Sequence, residues 1–476
     1  MAGEVTRQEF LRAAGRAAAV VASSGALASL GTAAAAGAVD AHDDRPSALR
    51  PRPGARHVCA DTPLSIAFRE APVLGTSGLI RIVRSDGTVA DTIDLAAPTQ
   101  TRIVGLRPTP LKYHPVIVDG TRASIYPHQQ LAYGETYSVL IDAGVFNTAD
   151  GRPLPGITDP RTWRFTTKRT APTLAHGRLT VDAGGAGDFC TVQGAIDLVP
   201  AGNTSPVHVR VRRGTYTEIV YVGKAQPLVT VTGEDRHRTV VQYANNNALN
   251  GSSRAMFGVD AADFTISNIT LVNTTPEGGT QAEAFHGSGQ RILLDHVDLI
   301  SRQDTLMLQG AAFVNHSFIE GDVDFMWGNG GVFFERCELR ARARTITTAA
   351  DYHTQIRNTQ TTHGNVYHRC RLTPDPAGAA IPTYRAYLAR IDPNVFPFSQ
   401  VVYLDCAMGS HVLPAGWLLN NATAAPNVQF WEFGSTDLSG AALDVSQREP
   451  FSRQLTADEA AQWSDPQFVL GWTPQL

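Results

Sequence analysis

One repeated pattern constrains the fold of this chain more than any other feature: six segments of its second half align on one eight-residue template. The segments are FTISNITL (264–271), ILLDHVDL (292–299), AFVNHSFI (312–319), VFFERCEL (332–339), NVYHRCRL (365–372) and VVYLDCAM (401–408). They are short and rich in β-branched and aromatic residues, which favours strands over helices. A fixed strand pattern joined by spacers of variable length is typical of stacked coils. We therefore predict a parallel β-helix rather than a helical solenoid.

The sixth template position predicts which side chains stack inside the coils. This position holds Ile269, Val297, Ser317, Cys337, Cys370 and Cys406. All six side chains are small or apolar, so we expect them to be buried. Cys337 and Cys370 would then be neighbours, either joined in a disulfide or stacked as two buried thiols.

The same register brings two acidic residues together. Asp304 lies seven residues after Val297 and Asp324 lies seven residues after Ser317, so one 20-residue coil separates the two aspartates. Equivalent positions on adjacent coils are about 4.8 Å apart. Two carboxylates at that separation repel each other, which pushes their pKa values apart and divides them into an acid and a base. The alternative is that both are exposed loop aspartates whose equal offset is accidental.

A set of motifs in this region resembles the pectin methylesterases. In chain order they are GDFCTVQGAIDLVP (187–200), VRRGTYTE (211–218), QAEAF (281–285), RQDTL (302–306), EGDVDFMWGNG (320–330) and SQVVYLDCAMGSHVLPAGW (399–417). The matches cover nearly all of residues 178–420. The resemblance implies a right-handed parallel β-helix and an aspartyl esterase that needs no metal or other cofactor. It also implies that the partner is pectin, an esterified polygalacturonate, or a related polysaccharide.

The motifs assign roles to five residues through that resemblance. Asp324 in GDVDF looks like the nucleophile, and Asp304 in QDTL looks like the general acid and base. Gln303 and Gln281 resemble the pair of amide donors that stabilise the oxyanion. Arg390 in YLARID stands where the family places an arginine against the nucleophile. We expect this arginine to neutralise only Asp324 and to keep it ionised.

The substrate groove is less well defined than the chemistry. We expect Trp327, Phe325, Val323 and Met408 to line it, although the two aromatic rings could equally belong to the core. Asp392 replaces the tryptophan on which the family packs a sugar ring. A carboxylate there would repel polygalacturonate, so the natural substrate could be more highly esterified, differently decorated, or not pectin.

Other functions remain open at this stage. A pectate lyase would need a calcium-binding cluster of carboxylates, which the sequence does not suggest. An inverting glycosidase needs carboxylates about 6.5–9.5 Å apart, farther than one coil step. Gly287-Ser288-Gly289 is not the nucleophile elbow of a serine esterase. The alternatives kept are a divergent relative acting on another ester or thioester, and a non-catalytic carbohydrate-binding β-helix.

The N-terminal residues predict export. Arg7, Arg12 and Arg16 precede a long uncharged stretch that ends in small residues, so we assign residues 1–38 to an export signal. The segment TRQEFLR is similar to a twin-arginine signal, with Gln8 in place of the second arginine. We therefore expect a secreted protein; the alternative is a membrane anchor, and no other stretch is suited to cross a bilayer.

Between the signal and the β-helix the chain predicts one small domain. Residues 39–57 are rich in Asp, Pro and Arg and are assigned to a linker. Residues 58–168 contain short strands, including a hairpin of 79–84 with 88–95 around Asp86-Gly87. They resemble a bacterial Ig-like β-sandwich that acts as a spacer or binds carbohydrate. The β-helix is assigned to residues 173–476.

Composition excludes several classes of partner. The 476 residues include 40 Lys and Arg against 44 Asp and Glu, for a formal net charge of −4. This balance does not favour nucleic acid or an anionic membrane as a partner. Charged residues are 18% and hydrophobic residues 43%, which excludes a disordered or coiled-coil protein. We expect a monomer.

Overall fold

The computed structural model describes residues 46–345, 350–377 and 385–476, and their contacts divide into two compact units. One unit comprises the described residues up to Arg102 together with Lys112–Ala171; the other comprises Ile103–Leu111 and Pro172–Leu476. The predicted export signal lies outside the described residues. Within those residues, no helix has the length and apolar character needed to cross a membrane.

The first unit is a β-sandwich. Its four-stranded sheet contains, in spatial order, β1 (Ala48–Arg50), β3 (Leu64–Ala67), β10 (Arg122–Ile125) and β9 (Val116–Asp119). Its five-stranded sheet contains β2 (Ala55–Val58), β13 (Arg164–Thr167), β11 (Thr136–Ile141), β5 (Leu79–Arg84) and β6 (Val89–Asp94). Two short pairs are β4 (Val73–Leu74) with β12 (Phe146–Asn147), and β7 (Gln100–Arg102) with β8 (Leu111–Tyr113).

The predicted hairpin is present, but the predicted linker is partly wrong. Strands β5 and β6 pair in antiparallel orientation on either side of Asp86-Gly87. However, β1 and most of β2 lie inside residues 39–57, where β1 pairs with β3 and β2 pairs with β13. The sandwich therefore begins before residue 58. Its core is built from alternate strand residues such as Ile80, Ile82 and Val139 around Trp163.

The second unit is a parallel β-helix with three long sheets. Sheet A contains β14 (Arg178–Val181), β15 (Val207–Val211), β18 (Val229–Gly233), β21 (Thr265–Ser267), β24 (Ile292–Asp295), β27 (Ala312–Asn315), β30 (Val332–Glu335), β33 (Asn365–His368), β36 (Gln400–Leu404), β39 (Gln429–Phe433) and β41 (Arg453–Gln454). Sheet B contains β16 (Gly214–Thr217), β19 (Thr239–Tyr243), β22 (Thr270–Asn273), β25 (Asp298–Ile300), β28 (Phe318–Gly321), β31 (Glu338–Ala341), β34 (Arg371–Pro374), β37 (Ala407–Met408) and β40 (Thr436–Asp437). Sheet C contains β17 (Val220–Val222), β20 (Phe257–Val259), β23 (Phe285–Gly287), β26 (Leu306–Leu308), β29 (Val323–Gly328), β32 (Asp351–Ile356), β35 (Ala386–Ile391) and β38 (Trp417–Leu419).

Each template segment forms the corner between sheets A and B rather than a single strand. In FTISNITL, β21 ends at Ser267 and β22 begins at Thr270. The fifth template residue between the two strands has a positive φ in every segment: 55° at Asn268, 54° at His296, 43° at His316, 50° at Arg336, 54° at Arg369 and 51° at Asp405. A left-handed residue turns the chain sharply, so the template specifies a strand, a turn and the start of a second strand.

The sixth template residues are buried, as predicted. Each of the six is at most 2% exposed. Cys337, Cys370 and Cys406 are free thiols on successive coils. The stacked-thiol alternative is therefore the one observed, and burial next to the other two thiols raises the pKa of Cys370 well above its ordinary value.

The few helices cap and cover the β-helix. They are α1 (Val192–Asp197), α2 (Asn247–Asn250), a 3₁₀ turn (Gly251–Ser253), α3 (Ala457–Trp463) and α4 (Pro466–Leu470). Thr191 caps α1, and Thr456 forms a capping box with Glu459 at the start of α3. Trp463 and Leu470 from the last two helices pack in one apolar cluster with Phe313 of sheet A. This cluster covers the outer face of that sheet.

Candidate active site

The two aspartates lie one coil apart on sheet C. Residues Leu306 and Met326 pair in register across β26 and β29, and the same 20-residue offset relates Asp304 to Asp324. The backbone N–H of Asp304 donates to the carbonyl of Val323 at 3.0 Å. Both aspartates have a positive φ, 67° and 48°, and both are only 6% exposed. The β-helix thus places both carboxyl groups together in a mostly dry environment.

The carboxyl group of Asp324 is held by hydrogen bonds from two neighbours. Arg390, two strands away on β35, donates from Nε to Oδ1 at 2.9 Å and from Nη2 to Oδ2 at 2.6 Å. Gln355 on β32 donates from Nε2 to Oδ2 at 3.2 Å. A bidentate arginine both fixes the carboxylate and favours its charged form.

Asp304 has a different environment. Its Oδ2 accepts from Arg254 Nη2 at 2.9 Å, but the Nε of the same arginine also pairs with Glu283, at 2.9 Å from Oε1 and 3.1 Å from Oε2. Burial and the charge of Glu283 raise the pKa of Asp304 to about 8, against the opposing effect of Arg254; Asp324 adds a smaller contribution. Asp304 therefore carries a proton at neutral pH.

This arrangement corrects one expectation and refines another. Arg390 contacts Asp324 and not Asp304, as expected, but the expectation that only one of the two aspartates would have an arginine is wrong, because Arg254 pairs with Asp304 as well as with Glu283. Burial, more than repulsion by Asp324, is the main cause that raises the pKa of Asp304 above that of an ordinary carboxyl group. Arg254 lies 50 residues before Asp304, after the 3₁₀ turn, so no short-range motif links the two.

The two predicted amide donors lie on neighbouring coils beside the pair. The backbone N–H of Ala282 donates to the carbonyl of Gln303, which places Gln281 and Gln303 one coil apart. Both side chains are partly exposed. Within the described part of the chain neither carboxamide group makes a hydrogen bond, so both NH₂ groups are free to donate to a bound group.

Only two of the four predicted groove residues are accessible. Trp327 and Val323 are partly exposed on β29. Phe325 is fully buried, with its ring 5.2 Å from that of His353, and Met408 is 1% exposed, so the prediction that these two contact substrate is wrong. Phe325 is buried although it lies two residues from both Val323 and Trp327, because β29 is irregular here. Its register shifts between Val323 and Met326, and Asp324 has a positive φ, so simple alternation of side chains does not hold.

Two arginines flank the indole of Trp327. The guanidinium carbons of Arg254 and Arg357 lie 5.4 Å and 4.9 Å from the ring centroid. Arg357 donates to Gln355 Oε1, from Nε at 2.9 Å and also from Nη2. It has no carboxylate partner among the described residues. Sequence reasoning missed Arg254, Arg357, Gln355 and Glu283; of these, Glu283 lies inside the QAEAF motif that was quoted for its glutamine.

The structure also describes Asp392, the residue that replaces the family's tryptophan. Asp392 follows β35 and accepts a hydrogen bond from Asn421 Nδ2 at 2.8 Å, which lowers the pKa of Asp392 and keeps it ionised. A different aromatic pair lies beside Arg390. Tyr352 and Tyr387 stack with centroids 5.8 Å apart and an angle of 10°, and the Arg390 guanidinium lies 4.2 Å from the centre of Tyr352.

The fold and the site together define a class: a β-helix hydrolase with a paired carboxylate centre. Comparisons with known proteins agree with this class and narrow it. Residues 178–471 match the Pectinesterase family model, and residues 45–167 match the family model of a bacterial Ig-like domain. The chain belongs to the pectinesterase family and is a carboxylic ester hydrolase, preceded by an Ig-like domain.

Individual relatives show the same relationship. Pectinesterase 31 of Arabidopsis thaliana is 31% identical over 305 residues, which cover 61% of this chain and 92% of the relative. Pectinesterase QRT1 of the same plant is 27% identical, over 62% of this chain and 77% of the relative. In structure, carrot pectin methylesterase aligns with a TM-score of 0.57 and 24% identity, over 62% of this chain and 92% of that one. PemA from Erwinia chrysanthemi aligns over 64% of this chain and all of its own, with a TM-score of 0.53 and 24% identity.

Proposed function

We propose that this protein hydrolyses methyl esters of polygalacturonate to free carboxylate and methanol, with Asp324 as nucleophile and Asp304 as general acid and base. The observation that carries the proposal is the environment of the two carboxyl groups. Asp324 has a bidentate arginine, Arg390, to itself, whereas the equally buried Asp304, one coil away, shares its arginine with Glu283. The chain therefore presents one carboxylate and one carboxylic acid side by side.

The first half-reaction uses these two states directly. An oxygen of Asp324 attacks the ester carbonyl carbon, and the developing oxyanion is stabilised by the free amides of Gln281 and Gln303. One such donor is worth about 3 kcal/mol of transition-state stabilisation. The tetrahedral intermediate collapses, the bond to the methoxy oxygen breaks, and the proton of Asp304 passes to that oxygen. Methanol leaves, and the acyl group remains on Asp324 as an anhydride.

The second half-reaction restores the enzyme. Asp304, now a carboxylate, removes a proton from water as the water attacks the anhydride. The bond to Asp324 breaks and Asp304 is again protonated, while the uronic acid formed gives its remaining proton to solvent and leaves as the uronate. Arg390 stabilises Asp324 as the leaving carboxylate in this step.

The groove supports an acidic sugar polymer as substrate. The Tyr352–Tyr387 stack beside Arg390 offers an aromatic surface for a sugar ring in place of the missing tryptophan. Arg357, which has no carboxylate partner among the described residues, supplies a cation for the free carboxylate of a neighbouring uronate. Asp392 is tied to Asn421. The tyrosine stack and Arg357 together favour a polymer in which methyl-esterified and free uronates are mixed.

We also propose that the protein is secreted and acts as a monomer. The export signal predicted at residues 1–38 supports secretion, and a polymeric cell-wall substrate would be met outside the cell. Carbohydrate binding without catalysis is less well supported, because it does not account for the different environments of Asp304 and Asp324. Activity on a different ester would use the same two aspartates; it is less well supported because Arg357 and the Tyr352–Tyr387 stack suit an acidic sugar polymer.

Methanol release tests the proposal. The full chain is incubated with esterified pectin and with a small methyl ester in the presence of a chelator, next to the Asp324→Ala variant. We expect methanol from the wild type and none above background from the variant. Activity that survives in the variant would refute the nucleophile, release of reducing ends would indicate a glycosidase, and pectin binding without methanol would favour the binding module.

A further inference from the structure

A second group of chemically reactive side chains lies at the corner between sheets A and B, outside the strands that carry the aspartate pair. His296 and His316 occupy the fifth template position on two adjacent coils. Their imidazole rings are stacked, with centroids 5.1 Å apart and an angle of 4° between planes. His296 is exposed and His316 is partly exposed. Because the turn geometry is the same in both coils, the two rings project in the same direction.

Hydrogen bonds on one side of each ring orient the other side outward. His296 Nδ1 lies 2.8 Å from Asp295 Oδ1, and His316 Nδ1 lies 2.9 Å from Asn315 Oδ1. Asn315 in turn donates from Nδ2 to Asp295 Oδ1 at 2.7 Å. Both Nδ1 atoms therefore face oxygen acceptors and must carry the hydrogen. In each neutral ring the lone pair is then on Nε2, and metal-binding histidines typically donate their other ring N–H to an oxygen in this way.

The spacing and charge of the cluster suit a metal ion. One ligating atom from each of Asp295, His296 and His316 lies within 4.8 Å of the others. The next fifth-position residue, Arg336, is compensated by Glu335, with Nη1 3.4 Å from Oε1. Two imidazoles with a nearby carboxylate match the preferences of Cu²⁺, Ni²⁺ and Zn²⁺ rather than those of Mg²⁺ or Ca²⁺, and Cu²⁺ binds such ligands most strongly.

We propose that His296 and His316, oriented by Asp295 and Asn315, form a surface binding site for a divalent transition metal ion that joins two consecutive coils of the β-helix. Because the ion would be bound by the folded chain and not by the separated coils, its binding stabilises the fold. The site is independent of the proposed function, since it shares no residue with the aspartate pair.

The probe is the copper(II) complex of iminodiacetate, which leaves coordination positions for a pair of imidazoles. It is titrated into the full chain by calorimetry, and thermal unfolding is followed with and without it. We expect one complex to bind per chain and to raise Tm. His316→Ala and His296→Ala should each weaken binding at least about tenfold and remove the rise in Tm.

A matched control is His208→Ala, which removes another exposed histidine of sheet A, on β15. It should leave affinity and the rise in Tm unchanged. Asp295→Asn keeps both imidazoles and should weaken binding by about tenfold or more if the carboxylate orients His296. The proposal is overturned if the wild type does not bind the complex, or if His208→Ala weakens binding as much as His316→Ala does. Circular dichroism of each variant separates lost binding from lost folding.

Discussion

The two aspartates of this site differ in their electrostatic environment, in part because the neighbouring arginines are distributed unequally between them. Asp324 has the bidentate Arg390 to itself, whereas Arg254 is divided between Asp304 and Glu283. One guanidinium cannot fully compensate two buried carboxylates, so one of the two retains its proton. Burial, together with the charge of Glu283 that Arg254 compensates only in part, raises the pKa of Asp304 to about 8, and this group provides the acid that the departing methoxide needs.

The pH dependence of activity tests this account. Asp304 donates its proton only below its pKa, so methanol release should fall as pH rises through about 8. Glu283→Gln removes a charge that raises the pKa of Asp304, and should move this alkaline limb to lower pH by roughly one unit. The measurement is kcat against pH for both proteins. Glu234→Gln, at an exposed ion pair with Arg210, is the control and should leave the limb in place; an unmoved limb in Glu283→Gln would contradict the assignment.

Arg357 provides a test of substrate recognition. Its guanidinium packs on the Trp327 ring and donates hydrogen bonds only to Gln355 among the described residues, so a uronate carboxylate can pair with it. Arg357→Gln should raise KM about tenfold on partly de-esterified pectin, since a charge-assisted hydrogen bond is worth about 1.5–3 kcal/mol. The increase should be much smaller on fully esterified pectin. Arg369→Gln, an exposed arginine at the sheet A–B corner, is the control, and equal increases on both substrates would exclude this role.

At this scale the sequence predicted the residues that lie on strands in register and missed those supplied by loops. Asp304 and Asp324 follow from the 20-residue offset, because coil spacing converts sequence distance into contact. Arg254 approaches the site from the loop before β20. Neither periodicity nor spacing in the sequence predicts the position of a side chain on a loop. Phe325 was assigned to the groove because the motif does not tell which face of β29 is buried.

At the scale of the element, the fifth template residue determines how each coil turns. Its φ of 43–55° is unfavourable for side chains with a branched β-carbon. Arg336→Ile should therefore lower the free energy of unfolding by about 1–2 kcal/mol. Arg336→Gly loses the same contact with Glu335 but accepts a positive φ, so its loss should be clearly smaller. Urea unfolding of both variants makes the comparison, and an equal loss would mean that backbone strain is not the cause.

The same turn explains what the pattern could and could not predict about the elements. The sequence shows that Asn268, His296 and Arg336 occupy the same template position. Polar residues of such different size share no common backbone preference, so the alignment does not predict a turn. Their shared conformation comes from the corner between sheets A and B, which exists only once the coils stack. The buried sixth position, by contrast, was predictable because burial selects residue type directly.

At the scale of the whole molecule, two histidines buried in the β-helix should make the fold sensitive to acid. Burial lowers the pKa of His353 to about 4 and that of His411 to about 3. Both are neutral in the folded and unfolded chain above about pH 6.5. As pH falls below that value the unfolded chain gains protons that the folded chain does not, so stability is lost between about pH 6.5 and pH 4.

The corresponding measurement is the free energy of unfolding in urea at pH 7 and pH 5. His353→Gln removes one of the two groups and should reduce the difference between the two values by up to about 2 kcal/mol. It should lower stability at pH 7, where the native Nδ1 contact with the Tyr387 carbonyl is lost. A pH difference unchanged from the wild type would show that acid acts elsewhere.

The division of the chain into a sandwich and a β-helix followed from the change in pattern near residue 170. The start of the sandwich did not, because β1 and β2 lie in a stretch whose proline and charge content is typical of a linker. Their strand conformation depends on pairing with β3 and β13, which come later in the chain. Long-range pairing of this kind leaves little trace in local composition.

The central claim is that Asp324 carries the acyl group and Asp304 is needed to remove it. The most direct measurement is a pre-steady-state burst with an activated nitrophenyl ester of an oligogalacturonate, whose leaving group needs no proton. Asp304→Asn should release about one nitrophenolate per chain and then turn over slowly, with the acyl adduct on Asp324 detected by mass spectrometry; Asp324→Asn should give no burst. A burst that persists in Asp324→Asn, or an adduct on another residue, would contradict the account.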